Sequence, residues 1–166
     1  MLTTISVVMA DTLDVAKNNK SSISLTTHLG ILEDVDKTLT LEDVQKDSVQ
    51  FKTDLPASKS INLSYTKSAY WLRFNIENSS DNQIEKILEI NHPLLKYVDF
   101  YFQSEDDSYQ IYTGFGRPYE NRAFKSRIFA FPLRLKAHSL NAIYIRVASL
   151  NAVQIPAQLP HTFQQY

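Results

Sequence analysis

AYWLRFNIEN, residues Ala69 to Asn78, is the most regular period-two segment of the chain and contains its only tryptophan. Alternate side chains of a β-strand point to opposite faces of the sheet, so this segment predicts a strand with one core-facing side. The predicted core-facing residues are Tyr70, Leu72, Phe74 and Ile76. The residues predicted to face away are Trp71, Arg73, Asn75 and Glu77.

The composition indicates one globular domain. The 166 residues are 43% hydrophobic and 21% charged, with a net charge of -1. Such a charge offers no basic surface for nucleic acid or an anionic membrane, so nucleic-acid binding is not expected. The chain has no cysteine, which excludes disulfides, thiolate metal sites and a cysteine nucleophile.

Further short segments share the β-branched and aromatic character of the opening strand and are separated by turn-forming residues. The sequence contains no long amphipathic helix. Only one short helical turn is predicted, at Leu41–Lys46, because Thr40 with Asp43 three positions later has the form of a helix N-cap. Some eight or nine strands without crossover spacing predict an antiparallel two-sheet β-sandwich, with a barrel as the alternative. The remaining predicted strands are Ile23–Leu32, Ile61–Tyr65, Ile84–Ile90, Tyr97–Gln103, Tyr109–Thr113, Ile128–Leu135, Ile143–Ala148 and Val153–Leu159.

The N-terminal 22 residues are predicted to lie outside the sandwich. The apolar start MLTTISVVMA is typical of the end of a secretory signal, with a mature start near Asp11. The polar stretch that follows has no period, so order is expected to begin near Ile23. The predicted organisation is a leader remnant and flexible segment at 1–22, followed by one sandwich domain at 23–166.

A binding face is predicted from strand parity. Tyr144 and Arg146 repeat the outward aromatic-x-Arg arrangement of Trp71 and Arg73, and flat rings beside guanidinium groups suit a sugar or another polar organic ligand. The alternative is that these rings pack beneath a loop, with the arginine stems lying over them.

The loop from Thr113 to Arg127, TGFGRPYENRAFKSR, predicts a rim to this face, because it combines two glycines with three arginines. Arg117, Tyr119 and Arg122 are the candidate ligand contacts, and a guanidinium there could hold a carboxylate. The alternative is that the arginines fix the loop by bonding its carbonyl groups.

Catalytic and metal-binding patterns are absent from the sequence. His28, His92, His138 and His161 never occur in zinc-ligand spacing, and no serine lies in a GxSxG motif. No pair of carboxylates stands out for glycoside hydrolysis. We therefore expect a protein that is not an enzyme and that has neither a cofactor nor a metal.

The order of segments resembles that of a receptor family. The segments that carry this resemblance are LGILEDVDKTLTLEDV, INLSYTKSAYWLRFNIEN, LEINHPLLKYVDFYF, GFGRPYENRAF, FAFPLRL, IYIRVAS and LPHTFQQY. Together they are similar to the type 2 extracellular domain of bacterial seven-transmembrane receptors with diverse intracellular signalling modules. The resemblance implies a jelly-roll fold like that of carbohydrate-binding modules, located in the periplasm. It also implies a seven-helix membrane segment and a cytoplasmic output module as partners.

The expected function is therefore recognition of a small polar ligand, such as a saccharide, by a sensor domain. Exposed Trp, Tyr and Arg also dominate protein interfaces. A dimerisation or protein-binding module without a small ligand is the alternative.

Overall fold

The computed structural model describes residues 11–18, 20, 22–55, 60–63, 67–149, 153–155 and 157–160. Within these residues the chain forms twelve strands and one short helix, α1 (Leu41–Val44). The strands are β1 (Leu13–Asp14), β2 (Ser22–Ser24), β3 (Gly30–Asp34), β4 (Ile61–Leu63), β5 (Ala69–Asn78), β6 (Ile84–Ile90), β7 (Tyr97–Gln103), β8 (Tyr109–Thr113), β9 (Phe129–Leu135), β10 (Ser139–Ala148), β11 (Val153–Ile155) and β12 (Ala157–Pro160).

Two sheets face each other. The first has the strand order β1-β5-β10-β7-β8, with β3 pairing on the same edge of β5 as β1. The second has the order β2-β12-β6-β9, and β4 pairs with β11 in a separate two-stranded ribbon. All pairings are antiparallel except that of β1 with β5. The predicted two-sheet β-sandwich is confirmed.

The core lies between the sheets and follows the predicted parity. Leu72, Phe74 and Ile76 of β5 are at most 1% exposed, whereas Tyr70 is partly buried at the edge of the core. The rings of Phe100 on β7 and Phe131 on β9 stack across the two sheets, with centroids 4.5 Å apart. Contact between rings on opposite sheets is the direct sign that the inner faces pack together.

Several predicted boundaries require correction. The stretch from Ile23 to Leu32 is not one strand, because a 3-10 turn at Thr26–His28 separates β2 from β3. The predicted strand from Val153 to Leu159 is likewise divided into β11 and β12, and β10 begins four residues earlier than expected. The strand count therefore exceeds the eight or nine predicted, because two- to four-residue strands carry too little pattern to be recognised.

Order begins earlier than Ile23, which also corrects the prediction. Leu13 and Asp14 form β1 beside Ile76 and Glu77 of β5, and the side chains of Leu13 and Val15 are buried in the core. The predicted leader remnant at 1–10 lies outside the described residues. No helix among the described residues is long and apolar enough to cross a membrane.

Candidate functional site

The outer face of the first sheet brings together the four residues predicted from parity. In the pairing of β5 with β10, Trp71 lies opposite Arg146 and Arg73 lies opposite Tyr144. On the far side of β10, Arg146 faces Asp99 of β7. The predicted aromatic and arginine side chains thus share one face.

A second layer covers part of this face. Between β3 and β5 the chain crosses the outer face of the sheet, and Val44 of α1 joins Trp71 and Tyr144 in a small hydrophobic cluster of its own. Trp71 is 1% exposed and Tyr144 is 4% exposed. This arrangement matches the alternative in which the rings pack beneath a loop. We call residues 35–51 the covering segment.

The covering segment is held by local hydrogen bonds. Thr40 caps α1 by accepting from the backbone N–H of Asp43 at 3.3 Å, and the Asp43 carboxylate accepts from the backbone N–H of Thr40 at 3.0 Å. This reciprocal arrangement is the capping box that the sequence predicts. The bonds to Thr40 and Lys46 hold the pKa of Asp43 below its usual range, with the bond to Lys46 as the largest cause.

Arg73 contacts this layer as well. Its guanidinium carbon lies 5.9 Å from the ring centre of Phe51 and 5.6 Å from that of Tyr144. Burial raises the pKa of Tyr144, and the positive charge of Arg73 opposes that rise. Trp71, Arg73 and Tyr144 therefore serve as packing for the covering segment.

Arg122 contacts its own loop and the second sheet, and Tyr119 lies beside it. The Arg122 guanidinium donates to the backbone carbonyls of Ser126 and Arg127, and it lies 4.7 Å from the ring centre of Phe129 on the second sheet. Tyr119 is 47% exposed, with the same guanidinium 4.9 Å from its ring centre. These contacts match the alternative in which an arginine fixes its own loop through carbonyl bonds.

Arg117 does reach the predicted face. Its Nη1 donates to Asp99 Oδ1 at 2.5 Å and to the backbone carbonyl of Thr113 at 2.7 Å. Asp99 Oδ2 also lies 3.8 Å from Nη1 of Arg146. Asp99 therefore links one arginine from the loop to one arginine from the sheet.

A cavity opens beside this pair, at the sheet end where β3, β7, β8 and β10 meet their loops. Its volume is about 380 Å³, which is near the lower bound for small-molecule sites. We call it the cationic pocket, because four of the seven lining residues are lysines or arginines. The lining residues are Lys37, Lys96, Tyr97, Arg117, Arg146, Ala148 and Ser149.

Lys37 was not predicted as a site residue, and a turn places it there. The buried Asp34 carboxylate accepts hydrogen bonds from the backbone N–H groups of Thr38 and Leu39, both at 3.1 Å. Lys37 lies between Asp34 and Thr38, in the left-handed backbone region, with φ of 60°. Aspartate followed by polar residues is a turn signal, but it does not indicate which strand the turn approaches.

Lys96 was also not predicted as a site residue, and the glycines of the loop position it beside Tyr97. A Cβ built on Gly114 would lie 2.1 Å from the backbone oxygen of Lys96, and Gly114 has φ of 126°. The backbone N–H of Gly116 donates to that same oxygen at 2.9 Å. The glycines thus allow the loop to lie directly against the start of β7.

A second cavity of about 720 Å³ lies at the β3 and β4 edge, lined in part by Ile31, Glu33, Lys52 and Tyr70. The Glu33 carboxylate in its lining already accepts hydrogen bonds from the hydroxyls of Ser68 at 2.7 Å and Tyr70 at 3.3 Å. None of the predicted site residues lines it. The cationic pocket is therefore the candidate site.

Metal binding has no support in the described part of the chain, where no cluster of three or more His, Cys, Asp or Glu side chains could hold an ion.

No curated protein matches the sequence. The model of the family described as 7TMR-DISM extracellular 2 matches residues 26–161, which is most of the chain and includes every strand from β3 to β12. The chain therefore belongs to the 7TMR-DISM extracellular 2 family, a family of receptor ectodomains that lie outside the cell and are attached to seven-transmembrane receptors with intracellular signalling modules.

Proposed function

We propose that this chain is the ligand-binding sensor domain of a bacterial receptor, located in the periplasm, and that the cationic pocket receives its ligand. The ligand is a small polar molecule, and saccharides are the first class to test. The observation that supports this proposal is the convergence of Arg117, Arg146 and Tyr97 on one open cavity of ligand size. The domain itself performs no catalysis.

The pocket is connected to a part of the fold that can respond to occupancy. Lys37 lies near the start of the covering segment itself, four residues before α1, so a ligand that contacts Lys37 also acts on α1 and on the packing over Trp71. A ligand shifts a conformational equilibrium only by its differential contacts with the two states. Lys37 supplies such a contact, and we propose that the signal passes through the covering segment to the membrane helices.

Protein binding is the second candidate function. Leu94 and Phe115 are 58% and 52% exposed, and the backbone N–H of Phe115 donates to the carbonyl of Leu95 at 3.0 Å. Exposed apolar side chains on two adjoining loops suit an interface with another protein or with a second copy of this chain.

A thermal-shift screen of the purified chain separates the two candidates. We expect at least one compound in a panel of neutral sugars, sugar acids and organic acids to raise Tm, because a ligand that binds only the folded state stabilises it. Arg146→Gln should abolish that rise, whereas Arg134→Gln, a change on the exposed side of the second sheet, should preserve it.

Two outcomes would count against the sensor pocket. A Tm rise that survives Arg146→Gln would locate the ligand elsewhere. Dimerisation in sedimentation velocity that is lost on Phe115→Ser, without response to any compound, would favour the protein-binding function.

A further inference from the structure

The charges that line the cationic pocket are unbalanced. Four of the chain's 17 lysines and arginines line one cavity, and no carboxylate lines it with them. Asp99 lies behind Arg117 and Arg146, and among the described residues it is the acid that pairs with them. The chain as a whole has a net charge of -1, so this local excess of positive charge is a property of the site.

Among the described residues, three of the four cationic side chains make no hydrogen bond to a protein group. Arg117 is the exception, because its Nη1 bonds both Asp99 and the carbonyl of Thr113. Arg146 is 3.8 Å from Asp99, which is beyond hydrogen-bond distance. Among the described residues, the Arg146 guanidinium makes no hydrogen bond. Within the same part of the chain, neither Lys37 nor Lys96 pairs with a carboxylate.

The Arg146 side chain is also largely buried before any ligand arrives. The side chain is 18% exposed. It projects from β10, the central strand of the first sheet, between Trp71 on one neighbouring strand and Asp99 on the other. A partly buried, oriented guanidinium interacts with an anion more strongly than a fully solvated one, because water screens it less.

The aromatic rings near the pocket already have cations over them. The Arg117 guanidinium lies 5.0 Å from the ring centre of Tyr97 and 5.6 Å from that of Tyr112, and the Lys96 ammonium lies 5.4 Å from that of Tyr97. Trp71 and Tyr144 are buried under the covering segment. A neutral sugar that relied on stacking would therefore find few open rings here, whereas an anion would find open donors.

From these observations we propose that the ligand is a small carboxylate, such as a sugar acid or a hydroxy acid, bound by Arg146, Lys37 and Lys96. This inference rests on the proposed function, since it names the chemistry of the ligand at the same site. A carboxylate fits better than a phosphate, because the pocket presents side-chain donors and has neither a glycine-rich phosphate loop nor a helix N-terminus among its lining residues.

The test compares matched pairs that differ by one carboxylate. Galacturonate and galactose form one pair and glucuronate and glucose another, with malonate, citrate and inorganic phosphate added at constant ionic strength. We expect at least one carboxylate to bind about tenfold or more tightly than its neutral partner in calorimetry, as one charge-assisted hydrogen bond supplies. Lys96→Gln and Arg146→Gln should each reduce that affinity about tenfold, whereas Lys125→Gln should leave it unchanged.

The possible failures are distinguishable. If a neutral sugar binds as well as its acid, and Tyr97→Ala weakens both while Lys96→Gln weakens neither, the carboxylate inference is overturned and the proposed function stands. If phosphate alone binds, the choice of carboxylate is wrong. If carboxylates bind but none of the pocket substitutions matters, the assignment of the site is overturned with the inference. If no compound in the panel binds the folded wild-type chain, the inference is rejected.

Discussion

Trp71 shows how one side chain can be placed on the correct face and still have a different role from the one expected. Its position within β5 directs it to the face of the sheet away from Leu72 and Phe74, as predicted. Its ring stacks on that of Tyr101, with centroids 5.8 Å apart, under the covering segment. Parity gives the direction of a side chain but not what lies above it, so a tryptophan that faces away from one core can belong to another.

Replacement of Trp71 should therefore destabilise the fold. We expect Trp71→Ala to lower the free energy of unfolding by about 3–5 kcal/mol, because it removes a large buried ring and leaves a cavity. Urea denaturation provides the measurement. The matched control is Leu140→Ala, since Leu140 is 64% exposed and should change the stability by less than about 0.5 kcal/mol. A cost below about 1 kcal/mol for Trp71→Ala would contradict the burial of this side chain.

At the scale of single elements, the loop after β8 builds one wall of the cationic pocket. Gly114 and Gly116 lie against the backbone and side chain of Lys96, and Arg117 follows them directly. The two glycines differ in what they require. Gly114 has a positive φ, and a Cβ there would lie 2.1 Å from the backbone oxygen of Lys96. A Cβ on Gly116 would lie 2.9 Å from Cγ of the Lys96 side chain and 3.0 Å from the same backbone oxygen. The side chain can move aside and the 3.0 Å contact needs only a small shift, but the backbone overlap at Gly114 is too severe to be relieved in this way.

This difference predicts unequal effects of two alanine substitutions. Gly114→Ala should lower the free energy of unfolding by more than about 2 kcal/mol, because its Cβ would add a backbone clash to an unfavourable φ. Gly116→Ala should cost less than about 1 kcal/mol and should reduce ligand binding more than stability. Urea denaturation and calorimetry measure the two effects. Equal destabilisation by both changes would show that the loop does not lie against Lys96 in this way.

At the scale of the whole molecule, the aromatic residues connect the sheets and make stability sensitive to alkaline pH. The Tyr109 hydroxyl donates to the backbone carbonyl of Pro132 on the opposite sheet. Burial raises the pKa of Tyr109 to about 12, from a usual value of 10.0. Burial is also the largest cause of the raised pKa values of Tyr101 and Tyr144.

A folded-state pKa above the unfolded one means that the unfolded chain loses the proton first. The stabilisation from Tyr109 is therefore complete below pH 10 and is lost as pH rises through about 12. We expect the free energy of unfolding to fall over this interval, and Tyr109→Phe to make the fall shallower. Urea titrations at several pH values test this, with the exposed Tyr119→Phe as control. A steeper fall in Tyr109→Phe would contradict the predicted sign.

The sequence alone determined the strands that carry most of the fold. β5, β6, β7 and β8 have the predicted limits, because each is long enough for its alternation to be read. The same parity identified the core and placed Trp71, Arg73, Tyr144 and Arg146 on one face. Short strands such as β1 were missed, because two residues carry no period and their pairing with β5 is a long-range contact.

The tertiary structure decided which part of that face is open. The covering segment buries Trp71 and Tyr144, and it leaves Arg146 beside Lys37, Lys96 and Arg117. These four cationic residues come from separate strands and turns, and no sequence spacing relates them. Strand parity is a local property, set by the geometry of successive residues. The cationic pocket depends on which distant loops meet at one end of the sheet, and only the folded chain determines that.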